Sequence, residues 1–473
     1  MTSPTRVRYQ VLVLACLLAA LTYLDRICFG AAAPLIIKEL GLTSVADLKW
    51  AFAAFAIAYG LFEVPTGWWG DRFGPRRVLI RVVLWWSFFT TLTGLVGWQA
   101  AGLTFGGLAF LIVVRFLFGA GEAGAFPNIA RALQNWFPPQ ARARAQGCVW
   151  MTARLAGGLT PLLWTYLVAG TEDTSPLVSW REAFLLFGLL GVLWCLLFAW
   201  RFRNRPEEHV DVNPAERDVI AAGRAEQPTA PDRVPWIAIL FSRNLLCMYV
   251  MYFSITYGWF FNVNYLPDCL ETRYGVERTS PVGSLFKGGP FILGAIGCLL
   301  GGYCADALLR RGTSLRWSRR LPGLIGLVLC AGCYLTAARM PSAWSFALAI
   351  ALAGFCNDLV MGGAWSTCQD VGGRHTAVVA GCLNTAASIG AALASWASGE
   401  VLQWYLDARA SELGIAVERL RDREWASERT AALAAGYEAN LLIYAAVTLV
   451  AAIAWLGANA ERPLCTTTDT RPG

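Results

Sequence analysis

Gly67-Trp68-Trp69-Gly70-Asp71-Arg72-Phe73-Gly74-Pro75-Arg76-Arg77 returns, altered, as Gly302-Tyr303-Cys304-Ala305-Asp306-Ala307-Leu308-Leu309-Arg310-Arg311-Gly312. Gly67 and Asp71 correspond to Gly302 and Asp306. Each pair closes a long apolar run and precedes a knot of arginines. Counting apolar runs outward, both motifs fall after the second run of a half-chain. The chain therefore reads as two similar units in tandem. Parallel repeats of six membrane spans, related by an axis along the membrane normal, form one known transporter architecture.

Composition agrees. Of 473 residues, 56% are apolar and 15% charged, against about 25% charged in a typical soluble domain. Runs of about 20 apolar residues, enough to cross roughly 30 Å of hydrocarbon, recur about twelve times. Their approximate limits are 9–34, 48–67, 78–98, 104–126, 145–169, 182–202, 240–266, 284–305, 321–338, 342–365, 376–400 and 433–457. The first run follows Arg6 and Arg8 but continues through Asp25 and Arg26 to Pro34, too long for a cleavable leader. The expected fold is an all-α membrane protein of twelve spans in two six-helix bundles. Residues 1–202 form the first bundle, 203–235 a polar central linker, and 236–473 the second bundle with an insertion at 402–432.

Arginines set the orientation. Arg72, Arg76, Arg77, Arg142, Arg144, Arg201, Arg203, Arg205, Arg310, Arg311, Arg316, Arg319 and Arg320 fall on one side of a twelve-span layout, with both termini. The opposite connections are sparse or balanced, as at Glu172 and Asp173. The positive-inside rule places both termini in the cytoplasm, in a cell (inner or plasma) membrane. Residues 402–432 mix arginines with Asp and Glu and read as exposed amphipathic helix, a solvated extension rather than a docking surface.

The same residues exclude other classes. Net charge is +7, but the arginines flank spans, so nucleic acid is not needed to explain them. Two histidines and cysteines without paired spacing give no metal or haem site. No Gly-x-x-x-x-Gly-Lys-Ser/Thr loop is present, which leaves no basis for an ATP-driven pump. No nucleophile–base set suggests an enzyme, and no cofactor is expected.

Ionisable groups inside spans are costly and are functional candidates by default. Span 1 carries Asp25 and Arg26, span 2 Glu63, span 4 Arg115 and Glu122, span 5 Arg154, and span 10 Asp358. Arg115 and Glu122 lie about two turns apart on nearly one helix side. A guanidinium suits a carboxylate bidentately, and a neighbouring carboxyl that gains and loses a proton can release it. Glu122, Asp25 and Asp358 are thus the expected proton-coupling groups. Tyr59, Asn384 and the stretch Tyr257–Asn264, with Asn262, supply amides and aromatic faces for a polar solute. Arg131 and Lys287, near span ends, are expected to snorkel to lipid headgroups.

Several motifs carry a family resemblance. Gly67 to Arg77 resembles the signature loop of the major facilitator superfamily. Thr22-Tyr23-Leu24-Asp25-Arg26, Tyr59 to Gly67, Arg115 to Pro127, and Asn135-Trp136-Phe137-Pro138 with Arg142 and Arg144 resemble its anion:cation symporter family, across the whole twelve-span body. That family includes proton-coupled hexonate, hexuronate and glucarate carriers and sialin-like carriers. The resemblance implies that Arg26 contacts a substrate carboxylate and Arg115 switches charge. It makes Glu122 the main proton carrier, assisted by Asp25, with Tyr59 and Asn384 as cavity contacts. Gly67, Asp71, Arg72 and Arg76, with Asp306 and Arg310, would form the cytoplasmic gate. The 402–432 extension and the stretch Cys382–Gly390 depart from the family's pattern. The expected function is proton-coupled symport of a small organic anion, a sugar acid, by alternating access. The chain would need only protons, the solute and membrane lipid as partners, and a monomer suffices. An exchanger or exporter, or a non-transporting nutrient sensor, are the rivals.

Overall fold

The structure, a computed structural model, describes residues 3–42, 45–100, 103–104, 106–170, 175–223, 233–277 and 280–464; Glu172 and Asp173 lie outside them. Twelve helical spans run through it. The first half holds span 1 (Val7–Glu39), span 2 (Lys49–Phe73), span 3 (Pro75–Gly94), span 5 (Pro139–Trp164) and span 6 (Trp180–Arg201), with span 4 broken into Leu108–Glu122 and Ala125–Trp136. In the second half, span 7 runs Arg243–Phe260 and continues through a π-helical turn, Phe261–Tyr265, into Leu266–Tyr274. Span 8 (Pro281–Arg310) and span 9 (Leu315–Ala338) follow. Span 10 is broken into Ala343–Asp358 and Met361–Gly372, before span 11 (Thr376–Leu413) and span 12 (Ala426–Gly457).

Among the described residues, seven helical stretches are long and apolar enough to cross a membrane on composition alone, one of them (343–413) holding spans 10 and 11 together. Spans 2, 3, 5 and 7 are more polar, and three of these carry Glu63, Arg154 and Asn262, all buried. Local chemistry starts the helices: Ser179 closes a capping box on Glu182, and Ser242, Ser280, Ser314 and Ser342 cap spans 7 to 10. Gly74, at φ 82°, ends span 2, and Pro75 begins span 3 at its first helical position.

Span 3 was expected to reach 98 but stops at Gly94; Gln99–Ala100 pairs antiparallel with Leu103–Thr104 before span 4 begins. The linker holds a short helix, Pro214–Ala221. Its Glu216 is buried and caps span 1, accepting hydrogen bonds from the N–H groups of Val7 (2.9 Å) and Arg8 (3.1 Å) and from the Thr5 hydroxyl (2.6 Å). Residues 402–432 are no separate pair of helices. Spans 11 and 12 simply extend, joined by 3-10 turns at Val417–Arg421 and Arg423–Trp425. Arg409 ties the extensions together through Glu428 (2.9 Å) and Glu412 (2.6 Å).

Packing repeats between halves. Span 2 packs on span 4 and, across the halves, on span 11; span 8 packs on span 10 and, across the halves, on span 5. Glycines allow both close approaches: a Cβ on Gly67 would lie 2.4 Å from the Ala377 carbonyl oxygen, and one on Gly302 2.3 Å from that of Ala143.

Candidate functional site

Two layers of charge join the halves. The first lies at the arginine-rich end. Asp71, closing span 2, accepts hydrogen bonds from the N–H groups of Ala377 (3.1 Å) and Val378 (2.9 Å) at the start of span 11. Asp306, closing span 8, does the same for Ala143 (3.3 Å) and Arg144 (2.8 Å) at the start of span 5. Asp71 meets a helix N-terminus, where unpaired N–H groups and the helix dipole favour an anion, and Asp306 meets the second turn of span 5. Arginines complete the bolts. Arg319 reaches Asp306 (2.8 Å), Asp370 (3.1 Å) and the Pro139 carbonyl (2.5 Å). Arg142 reaches Asp370 at 2.7 Å. Arg131 lies 3.6 Å from Asp71 and donates to the Gly373 carbonyl at 2.8 Å. Behind these contacts lies a cavity of about 890 Å³ lined by Asp71, Arg131, Arg142, Asn204, Asp370 and Arg374 among others.

The second layer lies deeper, where spans 4 and 10 break. Glu122 ends the first piece of span 4, and Asp358 the first piece of span 10. Each carboxylate takes one arginine. Arg26 Nε donates to Glu122 Oε1 at 2.6 Å. Arg154 donates to Asp358 through Nε (2.6 Å) and Nη2 (3.0 Å), a fork that crosses between the halves. Glu122 is fully buried, whereas the Arg26 side chain keeps 23% of its surface exposed, so the cation is the open partner. Arg26 also rests on Tyr59, 4.2 Å from its ring centre, with Tyr23 and Phe55 farther out. Asn384 of span 11 donates to the Tyr59 hydroxyl (2.9 Å) and to Glu63 (2.5 Å), which is itself fully buried.

Such an arrangement can do one thing well. A half-buried arginine held by aromatic faces stays in place whether or not its carboxylate is charged, so an outside anion can exchange for that carboxylate. Among the described residues no group of His, Cys, Asp and Glu is placed to hold a metal. The two histidines lie outside the spans. Burial lowers His209, and burial with Arg374 and Arg131 alongside lowers His375 to about 4.

The Major Facilitator Superfamily profile matches residues 15–395. The chain belongs to that superfamily. This superfamily member is thus a multi-pass membrane transporter rather than an enzyme. It is 33% identical over 386 residues to the "Probable sulfoacetate transporter SauU" of Cupriavidus necator, covering 80% of this chain and 84% of the relative. It is 31% identical over 342 residues to the "D-galactonate transporter" of Escherichia coli O6:H1, covering 69% and 73%. The solved proton:xylose symporter XylE bound to 6-bromo-6-deoxy-D-glucose superposes with a TM-score of 0.68 at 12% identity, covering 96% of this chain and 98% of that one; this likeness shows the fold.

In this superfamily chain Arg26, Tyr59, Glu122 and Asn384 do share one site. Other expected residues fall elsewhere. Arg115 sits one ring away, sharing Phe55 (4.9 Å) with Arg26 and resting on Phe29 (4.1 Å) and Phe118 (4.5 Å), its Nε without a partner. Asp25 is buried beside it, with Oδ1 unpartnered. Asp358 is no free carboxylate; Arg154 clamps it. Tyr257 packs in an aromatic core against Tyr444, 5.7 Å between ring centres, and Asn264 is exposed and donates to Ser395. Asn262, between them in the π-helical turn, is buried with neither amide atom partnered. At the arginine-rich end, Gly67, Asp71 and Asp306 hold the expected positions, but three arginines do not. Arg72 lies over Trp68 and Phe73, and Arg310 over Tyr303. Arg76 binds Asn204 and the Ala199 carbonyl of its own half. The cross-half bonds come instead from Arg131, Arg142 and Arg319. Arg131 thus turns inward to a buried aspartate, where it was expected to snorkel. The sequence signal was available at Arg319, which lies thirteen residues past Asp306 in the same arginine knot as Arg310.

Proposed function

We propose that the chain is a proton-coupled symporter of small organic anions, sugar acids above all, working by alternating access of its two halves. The Arg26–Glu122 pair carries this reading. Among the described residues Arg26 is the partly open cation of the deep layer, and its carboxylate partner Glu122 is fully buried. Protonation of Glu122 frees Arg26 for the carboxylate of a solute, so proton and anion load together. Loading neutralises both charges before the halves rock about the site. Asp25, next along the helix, and Asp358 assist by holding or exchanging protons. Tyr59, Asn384 and the unpartnered amide of Asn262 offer hydrogen bonds to hydroxyls. The Asp71 and Asp306 bolts hold one end shut while the other opens. By the positive-inside rule that end is cytoplasmic, with both termini, in the cell membrane. The names of the relatives, sulfoacetate and galactonate transporters, support an acidic solute.

The test is uptake by purified protein in liposomes of gluconate, galactonate, glucarate and sulfoacetate, with and without an inward proton gradient. Gradient-driven accumulation of any of them is the expected result. Saturable binding without flux would replace this reading with a sensor.

A further inference from the structure

The proposed symport reading uses one arginine, yet the deep layer holds two, built alike. Arg154 lies 3.6 Å from the ring centre of Trp259 and 5.9 Å from that of Trp150. Its guanidinium therefore keeps its place through aromatic faces, as that of Arg26 does through Tyr59. Both arginines meet on a single residue: Arg26 lies 5.8 Å from the Tyr23 ring centre, and Arg154 Nη1 donates to the Tyr23 hydroxyl at 3.3 Å. One phenol ring separates them. Arg26 and Arg154 come from spans 1 and 5 of one half, while Asp358 comes from the other half. A buried pair of this kind adds little stability over apolar packing, so its presence calls for another use.

We propose that Arg154 is a second anion receptor, and that the solute is a short dianion with one acidic group on Arg26 and the other on Arg154. This rests on the symport reading above. The second acid takes the place of the Asp358 carboxylate on the guanidinium fork, and Asp358 takes up a proton as it lets go. Around Asp358 stand, besides Arg154, the amide of Asn357 (3.1 Å), the thiols of Cys298 and Cys330 and the hydroxyl of Tyr252. None of these brings a second positive charge, so a neutral Asp358 leaves Arg154 in need of an anion. Gly294 keeps the space: a Cβ there would sit 2.7 Å from Asp358 Oδ2.

The experiment compares uptake of matched acids, glucarate against gluconate and succinate against butyrate, in liposomes holding wild type or the double variant R154Q/D358N. The double change removes both charges together and so avoids a stranded buried ion. Wild type should take up the diacid of each pair in preference to the monoacid. In the variant the ratio of diacid to monoacid affinity should fall by about 10- to 100-fold, the worth of one charge-assisted fork. An unchanged diacid-to-monoacid ratio in the variant would overturn the proposal, as would wild-type preference for the monoacid. Uptake of neither class by wild type would instead sink the symport reading. If the double variant fails to fold, D358N alone answers the question: it should raise diacid affinity more than monoacid affinity, and an equal effect on both would overturn the proposal.

Discussion

Replacing Glu122 by glutamine tests the coupling step. The substitution keeps the shape of the side chain and resembles the protonated acid, but the charge is gone for good. In the wild-type structure one Glu122 oxygen takes the 2.6 Å bond from Arg26, and the other has no partner. That single charge-assisted bond is worth about 1.5–3 kcal/mol, or about 10- to 150-fold in affinity. Arg26 released from it should bind a substrate carboxylate more tightly by up to that factor, and binding should lose its pH dependence. Net accumulation should vanish as well. One proton per solute concentrates the solute about tenfold for each unit of pH gradient, since one unit is worth about 1.4 kcal/mol. E122Q should level at a ratio near one while still exchanging labelled for unlabelled solute. Gradient-driven accumulation that survives in E122Q would refute the assignment of Glu122, and so would unchanged affinity.

Other predictions follow the same structure. Arg319→Ala leaves Asp370 to Arg142 alone and Asp306 to the N–H groups of Ala143 and Arg144, and should cost about 2–3 kcal/mol at the arginine-rich end. Faster hydrogen–deuterium exchange across residues 139–146 would report that loosening. Gly67→Ala and Gly302→Ala each drive a methyl into a facing carbonyl, at 2.4 and 2.3 Å. Both should keep the arginine-rich end from closing and stop net uptake with substrate binding intact, measured by isothermal titration against flux. Glu216→Ala removes the cap of span 1 and should lower stability by about 1–2 kcal/mol, seen as a fall in apparent melting temperature in detergent. His375→Gln should leave the pH profile of transport unchanged between about pH 5.5 and 8, because a group lowered to about 4 is already neutral there. A lost profile in that variant would move the coupling proton away from the carboxylates.

Much of the fold was legible because membrane spans are read from composition, and the Gly67–Asp71 and Gly302–Asp306 repeat set the two halves. Boundaries near Gly94 were not, since apolar residues continue past the helix towards the paired strands Gln99–Ala100 and Leu103–Thr104. The break in span 10 was hidden, since no proline stands in that run, whereas Pro127, which cannot donate to the Ala123 carbonyl, signalled the one in span 4. At the site, charge inside a span found Arg26, Glu122, Arg154 and Asp358 as candidates. Partner choice stayed out of reach, because helix periodicity orders residues along one span and says nothing about which neighbouring span a side chain meets. The arginine that Glu122 holds was therefore left open, and Arg26 takes that place from span 1. The arginines of the bolts were misassigned for a related reason. Arg72, Arg76 and Arg310 sit inside the motif, while Arg131, Arg142 and Arg319 reach Asp71, Asp306 and Asp370 from other helices.

The most direct test of proton-coupled anion transport is net uptake of glucarate by the wild-type protein in liposomes, with an inward proton gradient and with none. Accumulation above equilibrium that appears with the gradient and collapses when a protonophore is added is the predicted result. Equal, merely equilibrating flux in both conditions would contradict proton coupling and leave an exchanger or uniporter.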